Sequence, residues 1–523
     1  MLKATIALAD LAIAPRWSDG AIRFGPSRIA PFEHPALESV LVRTDGQWFA
    51  AVRERRADAA EATILDVDAA EFERRHRECL LWPLDYVMIE AAPAGCRLKV
   101  RAGVFGSLPV YARATDERLE LSWDAADLTA APTALDFEIA SHRLALHTMY
   151  SARQLCVGIV LLTERATLSA EPGKASHQYP SPARDADLAP PREADALLAD
   201  FGACLGIVLD ARPVAAERSA LELSGGMDSA TVACGLAGRH GALASLGILL
   251  DGDTRTPQLR RRQAIVEQLG LRDRTVEIAD FLPSLDLGPL PGRRLGFHQE
   301  YYLEACAALW DIARAQGCDR LYTGLGGDEL FPDYAHELSG EGGTEALERE
   351  RERAHRAEVA ALLTPRAREA ARTAYCFSAP AGPVPTTALA AQACRAPDIA
   401  RRGLWPVNPL SDPRLVHFCH RLPTAQRRQR TLMRRYLQKR LGEDTFPAGY
   451  RKETFEEVFP ALIARQAAAL ATQLRECALA DLGLIDPRGV ERLLEAVAST
   501  RARTPTAVLV SFLWLERFAR QLA

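Results

Sequence analysis

The chain has 523 residues, 48% hydrophobic and 25% charged, which is more than one ordinary domain and too apolar for a disordered polymer. Its 64 Lys+Arg against 68 Asp+Glu leave a formal charge of −4, which excludes a polyelectrolyte grip on nucleic acid or an anionic membrane. The basic residues are nearly all arginine; the lysines are Lys3, Lys99, Lys174, Lys439 and Lys452, so a lysine in a suggestive place stands out.

In chain order, the stretch Ala4–Ala14 is apolar, but Asp10 interrupts it and only Lys3 precedes it. It reads as an opening strand, not a signal peptide. Up to Tyr179, short period-two runs recur between turn residues: Ser39–Val42, Trp48–Val52, Tyr86–Ile89, Arg97–Val100 and Arg118–Leu121. Pro180 to Arg192 is rich in Pro, Ala and Asp without periodicity and reads as a linker. Beyond it, Glu193–Ala211 has helical spacing, and strands then alternate with helices. The strands are expected at Ser219–Leu223, Ala244–Leu250, Thr275–Ile278 and Arg320–Thr323. The helices are expected at Ser229–Ala237, Gln258–Leu269 and Gln299–Ala315. This alternation predicts a parallel sheet flanked by helices.

From Thr344 onward the pattern is helical. Glu345–Glu358, charged on every face, is expected to be a solvated helix. The 11 cysteines show neither a CxxC pair nor zinc spacing and read as reduced thiols of a cytoplasmic protein. No run approaches the ~18 apolar residues of a membrane span.

Leu223-Ser224-Gly225-Gly226-Met227-Asp228-Ser229 falls where a strand meets a helix. Its glycines permit close backbone approach, and free N–H groups at the helix start favour an anion. Ser229 adds a hydroxyl donor. Asp228 would repel phosphate unless a cation lies between them, so its natural role is to hold Mg²⁺. A helix start capped by Ser224 accounts for SGG alone, but not for the whole string. The Walker pattern GxxxxGK[ST] is absent.

The string resembles the pyrophosphate loop of ATP pyrophosphatases, which cleave ATP between the α- and β-phosphates. A second Gly-rich loop, Gly324-Leu325-Gly326-Gly327-Asp328-Glu329-Leu330-Phe331, is similar to the matching loop of the asparagine synthetase family. That resemblance implies ATP and Mg²⁺ as cofactors, with Asp228 and Asp328 as metal ligands. The implied nucleotide-binding set is Leu223, Ser224, Gly225, Gly226, Asp228, Ser229, Gly247, Leu249, Gly324, Gly326 and Gly327. Asn408–Val416 resembles the family's PFxD segment. Thr431–Leu437 resembles its basic helix, with Arg434 or Arg435 as the cation, and Lys452 stands at the place of a catalytic lysine.

Val104–Tyr111 and Leu119–Trp123 resemble segments of the glutaminase domain that the family carries at its N-terminus. The implied fold is α/β. A glutaminase-like (Ntn-type) αββα sandwich would occupy residues 1–179, followed by a linker at 180–192. An asparagine synthetase-like adenylating domain would occupy 193–523, with a parallel sheet flanked by helices and a helical C-terminal part. There are two departures from the family. Its glutaminases use an N-terminal cysteine exposed after removal of Met1, whereas position 2 here is Leu2 and the nearest cysteine is Cys79; the domain is expected to be inactive. Leu325 stands where asparagine synthetases have a glutamate and β-lactam synthetases a tyrosine.

These departures favour the lasso peptide cyclases, macrolactam synthetases that adenylate an Asp or Glu side chain and let the peptide's N-terminal amine attack it. The expected partners are a precursor peptide, a leader peptide-binding protein and a leader peptidase, with no nucleic acid and no membrane span. The charged Gly340–Glu358 stretch is a candidate for gripping the peptide. The alternatives are a β-lactam synthetase-like or asparagine synthetase-like ligase, a catalytically dead ATP-binding scaffold, and a sulfur-transferring RNA-modifying pyrophosphatase. The last is disfavoured by the lack of paired cysteines.

Overall fold

The computed structural model describes residues 1–57, 64–91, 97–131, 133–146, 150–184, 187–188, 192–241, 243–289, 294–298, 300–331, 345–447, 450 and 452–522. The fold is mixed α/β, with three sheets and many helices. The period-two runs of the first third become two seven-stranded sheets between Leu2 and Gln178. Neighbouring strands are antiparallel except Leu37–Thr44 and Ile64–Asp66, which run parallel.

Alternation along the strands sends Ile6, Ile22, Ile29 and Leu121 of one sheet against Val52, Ile89, Val100 and Leu168 of the other, giving a common apolar core. Helix Ala69–Leu80 sets Phe72 and Cys79 against Val42, Phe49 and Met88 on the second sheet's far face. Helix Phe137–Leu144 packs Ile139 and Leu144 around Tyr111 and Ile159 of the first sheet. The apolar opening stretch is divided at Asp10. Strand Leu2–Ala7 gives way to a 3₁₀ turn, Leu8–Ala12, because the buried Asp10 carboxylate turns back to accept from Ser27 Oγ at 2.6 Å.

The third sheet is parallel, in the order Arg272–Glu277, Ala244–Leu249, Ser219–Glu222, Arg320–Tyr322, Trp405–Val407. Ala244–Leu249 is buried at every position, as a strand covered on both faces must be. On one face Leu309 and Trp310 of helix Leu303–Ala315 pack on Ala220, Leu246 and Leu321. On the other, Met227 and Ala230 of helix Met227–His240 pack on Leu221 and Leu223. The fifth strand, Trp405–Val407, lies in the region whose pattern reads as helical. It has three residues, and Pro406 lacks the N–H of an interior strand, which confines it to the edge.

The rest of the C-terminal region is helical, as its pattern predicts. Helices Val458–Gln473, Pro487–Thr500 and Arg503–Leu522 close a further core around Leu493, Val497, Phe512 and Phe518. The charged segment forms the first part of helix Glu345–Leu362; its Gly340–Thr344 portion lies outside the described residues, as do parts of 180–192, Gln299 and Arg451. No helix among the described residues is long and apolar enough to cross a membrane.

A buried polar chain joins the sheet sandwich to the parallel sheet. Glu54, at the end of strand Gln47–Glu54, accepts from Trp405 Nε1 at 2.7 Å and from Arg212 Nη2 at 2.6 Å. Arg212 in turn lies 4.0 Å from Asp412. Asp412 caps helix Pro413–His420 by accepting from Arg414 N.

Candidate functional site

The strand order of the parallel sheet fixes where a ligand can enter. From the central strand Ser219–Glu222 the chain moves outward through Ala244–Leu249 and Arg272–Glu277, then returns to the other side at Arg320–Tyr322. The loops leaving Ser219–Glu222 and Arg320–Tyr322 therefore diverge from neighbouring strands and leave a crevice at the carboxyl end of the sheet, the usual ligand position in such folds. These loops are the two glycine-rich strings of the sequence.

The first loop turns at Gly225, whose φ is +96°, a conformation glycine adopts without strain. Gly226 then starts helix Met227–His240 with no side-chain cap, so N–H groups at the helix start remain available to an acceptor. Ser224 Oγ accepts from Gly226 N and faces Ser229 Oγ, each at 3.2 Å. From below, the buried Gln258 fixes the loop: its Nε2 donates to Ser224 O and Ile248 O, both at 2.9 Å, and its Oε1 accepts from Leu250 N at 3.0 Å. Arg261 donates to Gly225 O at 3.3 Å and pairs with Glu453.

The second loop is pressed onto the first so closely that side chains are excluded. A Cβ on Gly324 would lie 2.7 Å from Ser229 N, and one on Gly327 would lie 2.0 Å from Asp228 Oδ1. Gly326, with φ +100°, sits against Ser411, whose Oγ donates to Leu325 O at 3.1 Å. Thr323 Oγ1 donates to Asn408 at 2.6 Å and accepts from Leu325 N at 3.1 Å. The Asn408–Val416 segment thus supports this loop from behind. Gly327→Ala is expected to displace Asp228 and to cut the adenylating activity proposed below by on the order of 10²-fold, the scale of ångström misplacements in active sites. Gly202→Ala, whose Cβ would meet Tyr436 at an ordinary 3.5 Å, should leave turnover unchanged; equal rates for both variants would remove the contact's importance.

Asp228 and Asp328 converge on the same two cations. Arg430 donates from Nη1 to Asp228 at 2.5 Å and from Nη2 to Asp328. Lys452 Nζ reaches both oxygens of Asp328 at 2.7 and 2.8 Å and lies 3.8 Å from Asp228. Burial pushes the Asp228 carboxyl above its ordinary pKa, against the pull of Arg430. Arg430, only 1% exposed, has φ +54°, and Gln429 before it has φ +51°. Such left-handed non-glycine backbone costs about 1–2 kcal/mol per residue and marks a position held by its surroundings.

The expectation for the basic helix needs correction. Arg434 is turned to the carbonyls of Phe446 and Pro447, at 3.1 and 2.9 Å, and Arg435 reaches Asp195 at 3.2 Å. The cation at the aspartates is Arg430, one residue before helix Thr431–Leu441. Gly247 lies in the buried strand Ala244–Leu249, and the space where a Cβ would stand is occupied by the Arg262 guanidinium. Arg262 is 2% exposed and donates to Asp273 at 2.6 Å, while its Nε and Nη1 find no acceptor. Leu223 and Leu249 are buried, and Leu223 N donates to Leu246 O at 2.7 Å. Leu325 packs its side chain against the C-terminal helical core. Leu2 is 1% exposed within the first sheet.

The donor set suits a magnesium–phosphate group. Two carboxylates provide hard oxygen ligands, and loop N–H groups and cations lie beside them. No cluster of three or more metal-ligating side chains occurs among the described residues. A magnesium ion here would complete its shell with phosphate oxygens and water.

No family profile and no curated protein matches the chain. Among solved structures, 36 chains match. One is the U34-tRNA thiolase NcsA from Methanococcus maripaludis with its [4Fe-4S] cluster, at 18% identity and a TM-score of 0.20, over 28% of this chain and 52% of that one. The chain thus spans about half that protein's length, and at such a score the likeness adds nothing to the geometry.

Proposed function

We propose that the chain is an ATP-dependent, AMP-forming amide ligase, and specifically a lasso peptide cyclase. The observation that supports adenylation is the convergence of Asp228 and Asp328, from loops on either side of the sheet's switch point, onto Arg430 and Lys452. In this reading the Ser224–Ser229 loop cradles phosphates through the N–H groups at the start of helix Met227–His240, Ser224 Oγ and Ser229 Oγ. Asp228 and Asp328 hold magnesium, which when bound neutralises phosphate charge as a Lewis acid.

A substrate carboxylate oxygen attacks the α-phosphorus. The bond to the β-phosphate oxygen breaks, and its electron pair leaves with pyrophosphate. Arg430 and Lys452 stabilise that developing charge. The amine then attacks the acyl carbon, AMP departs, and the amine loses its proton. Leu325 can neither accept nor donate a proton. A peptide folded so that its own amine faces the acyl group supplies a high effective concentration instead, which favours an intramolecular substrate. The sheet sandwich, at residues 1–179, acts as a glutaminase-like domain without a nucleophile, linked through 180–192 to the adenylating part. The leader-binding protein and leader peptidase act upstream, delivering the processed peptide.

The test uses purified protein, ATP, Mg²⁺ and a leader-free peptide carrying Asp or Glu a few residues after its N-terminus. The expected products are AMP, pyrophosphate and a peptide lighter by one water. Consumption of small amine-bearing carboxylic acids with every peptide left untouched would remove the cyclase reading. Absence of AMP with either class would remove adenylation itself.

A further inference from the structure

A cavity of about 340 Å³ lies between helix Phe137–Leu144 of the sandwich, helix Arg503–Leu522 and the residues Phe297, His298 and Tyr301. Its volume is at the small end of the range for small-molecule pockets. Its ionisable groups are one-sided: Arg143, Arg153, His142 and His298 line it, and no carboxylate does among the described residues.

Arg153 is already neutralised from behind, by Asp136 at 2.7 and 2.9 Å and Glu138 at 2.7 Å. Arg143 is not. It has no carboxylate partner among the described residues, its buried Nε has no acceptor, and its Nη1 reaches only Phe297 O at 3.4 Å. The guanidinium lies over Trp514, 3.7 Å from the ring centroid, which holds it in place without offsetting its charge. Burial and Arg143 push His298 down to about 3, so that imidazole is neutral and adds no second cation. A half-buried guanidinium with no counter-ion is costly in a low-dielectric wall, and an anion would relieve that cost. Ile139, Leu155 and Phe297 give an apolar stretch of the lining, beside Ser151, Gln154 and Ser511.

We propose that this cavity is a binding site for a small organic carboxylate, with Arg143 pairing the carboxylate and the apolar wall holding its body. Two walls lead to the aspartate cluster. Ala390 shares helix Thr386–Arg401 with Thr387, which donates to Glu329 next to Asp328 at 2.8 Å. Tyr301 precedes Tyr302, which stacks on Phe455 at 4.4 Å, three residues beyond Lys452.

The probe is N-acetylphenylalanine, titrated calorimetrically into the full chain without ATP, so the outcome is independent of the adenylation reading. Saturable binding is expected, with N-acetylphenylalaninamide at least about tenfold weaker because the charge-assisted pair is lost. Arg143→Ala should weaken the carboxylate at least about tenfold, and Arg143→Lys by less. Ala390→Trp, which fills the cavity from the opposite wall and leaves Arg143 intact, should abolish binding even if Arg143→Ala fails to fold. No saturable binding to the wild-type chain overturns the proposal, as does equal affinity for the amide or undiminished binding in Ala390→Trp.

Discussion

Asp328→Asn and, separately, Asp228→Asn are each expected to lower ATP-dependent pyrophosphate release by on the order of 10³-fold, since metal-assisted charge neutralisation is worth several kcal/mol in the transition state. Each substitution keeps the side chain's shape and removes one formal negative charge. In Asp328→Asn, Lys452 loses the carboxylate that it approaches at 2.7 and 2.8 Å, and Arg430 faces an uncharged amide there while keeping its bond to Asp228. The two aspartates should therefore fail together rather than additively, because they face the same cations and one group of phosphates. Pyrophosphate is followed by a coupled phosphate assay, with circular dichroism to confirm that both variants fold. Undiminished release in both variants would separate the pair from the chemistry.

Glu54→Ala should produce the largest loss of stability, about 3–5 kcal/mol, the usual cost of removing one partner from a buried ion pair. The carboxylate is 1% exposed, Arg212 is 8% exposed, and Trp405 is 1% exposed. Without Glu54 the guanidinium keeps only the distant Asp412, and the Trp405 indole N–H loses its acceptor. Burial and Glu54 together push Asp85 to about 6, so removing Glu54 should also lower that group's pKa. Glu54→Gln retains an acceptor for Trp405 and is expected to cost less than Glu54→Ala. Urea denaturation measures both; if they lose equal, small amounts of stability, the chain does not depend on this junction.

The parts of the site readable in the sequence are those where one residue type in a fixed spacing has one physical use. Gly225 at positive φ, Gly327 under Asp228 and Lys452 in an arginine-rich chain are of that kind. Arg430 was not readable. It sits among Arg427, Arg428, Arg434 and Arg435, and helical spacing cannot select a residue whose backbone is left-handed and outside the helix. The surroundings of Gly247 are not readable for a different reason: the space beside a glycine can be filled by a distant side chain, here Arg262, and nothing local reports it. Strand Trp405–Val407 was hidden because three residues carry no period, and its pairing depends on Arg320–Tyr322 far upstream. The cavity beside Arg143 needed helices from both ends of the chain, which no local pattern joins.

The switch-point topology also sets an order of assembly. The central strand Ser219–Glu222 pairs first with its near neighbour Ala244–Leu249, but its other partner, Arg320–Tyr322, comes much later in the chain. The cluster is more non-local still: 202 residues separate Asp228 from Arg430, and 124 separate Asp328 from Lys452. Contacts of such sequence separation form slowly, because loop closure must precede them. On the ribosome, the sandwich and the first glycine-rich loop emerge well before the residues that complete the cluster. The nascent chain thus carries an anion-ready loop without Arg430 for the 202 residues that separate Asp228 from it, and Lys452 follows later still.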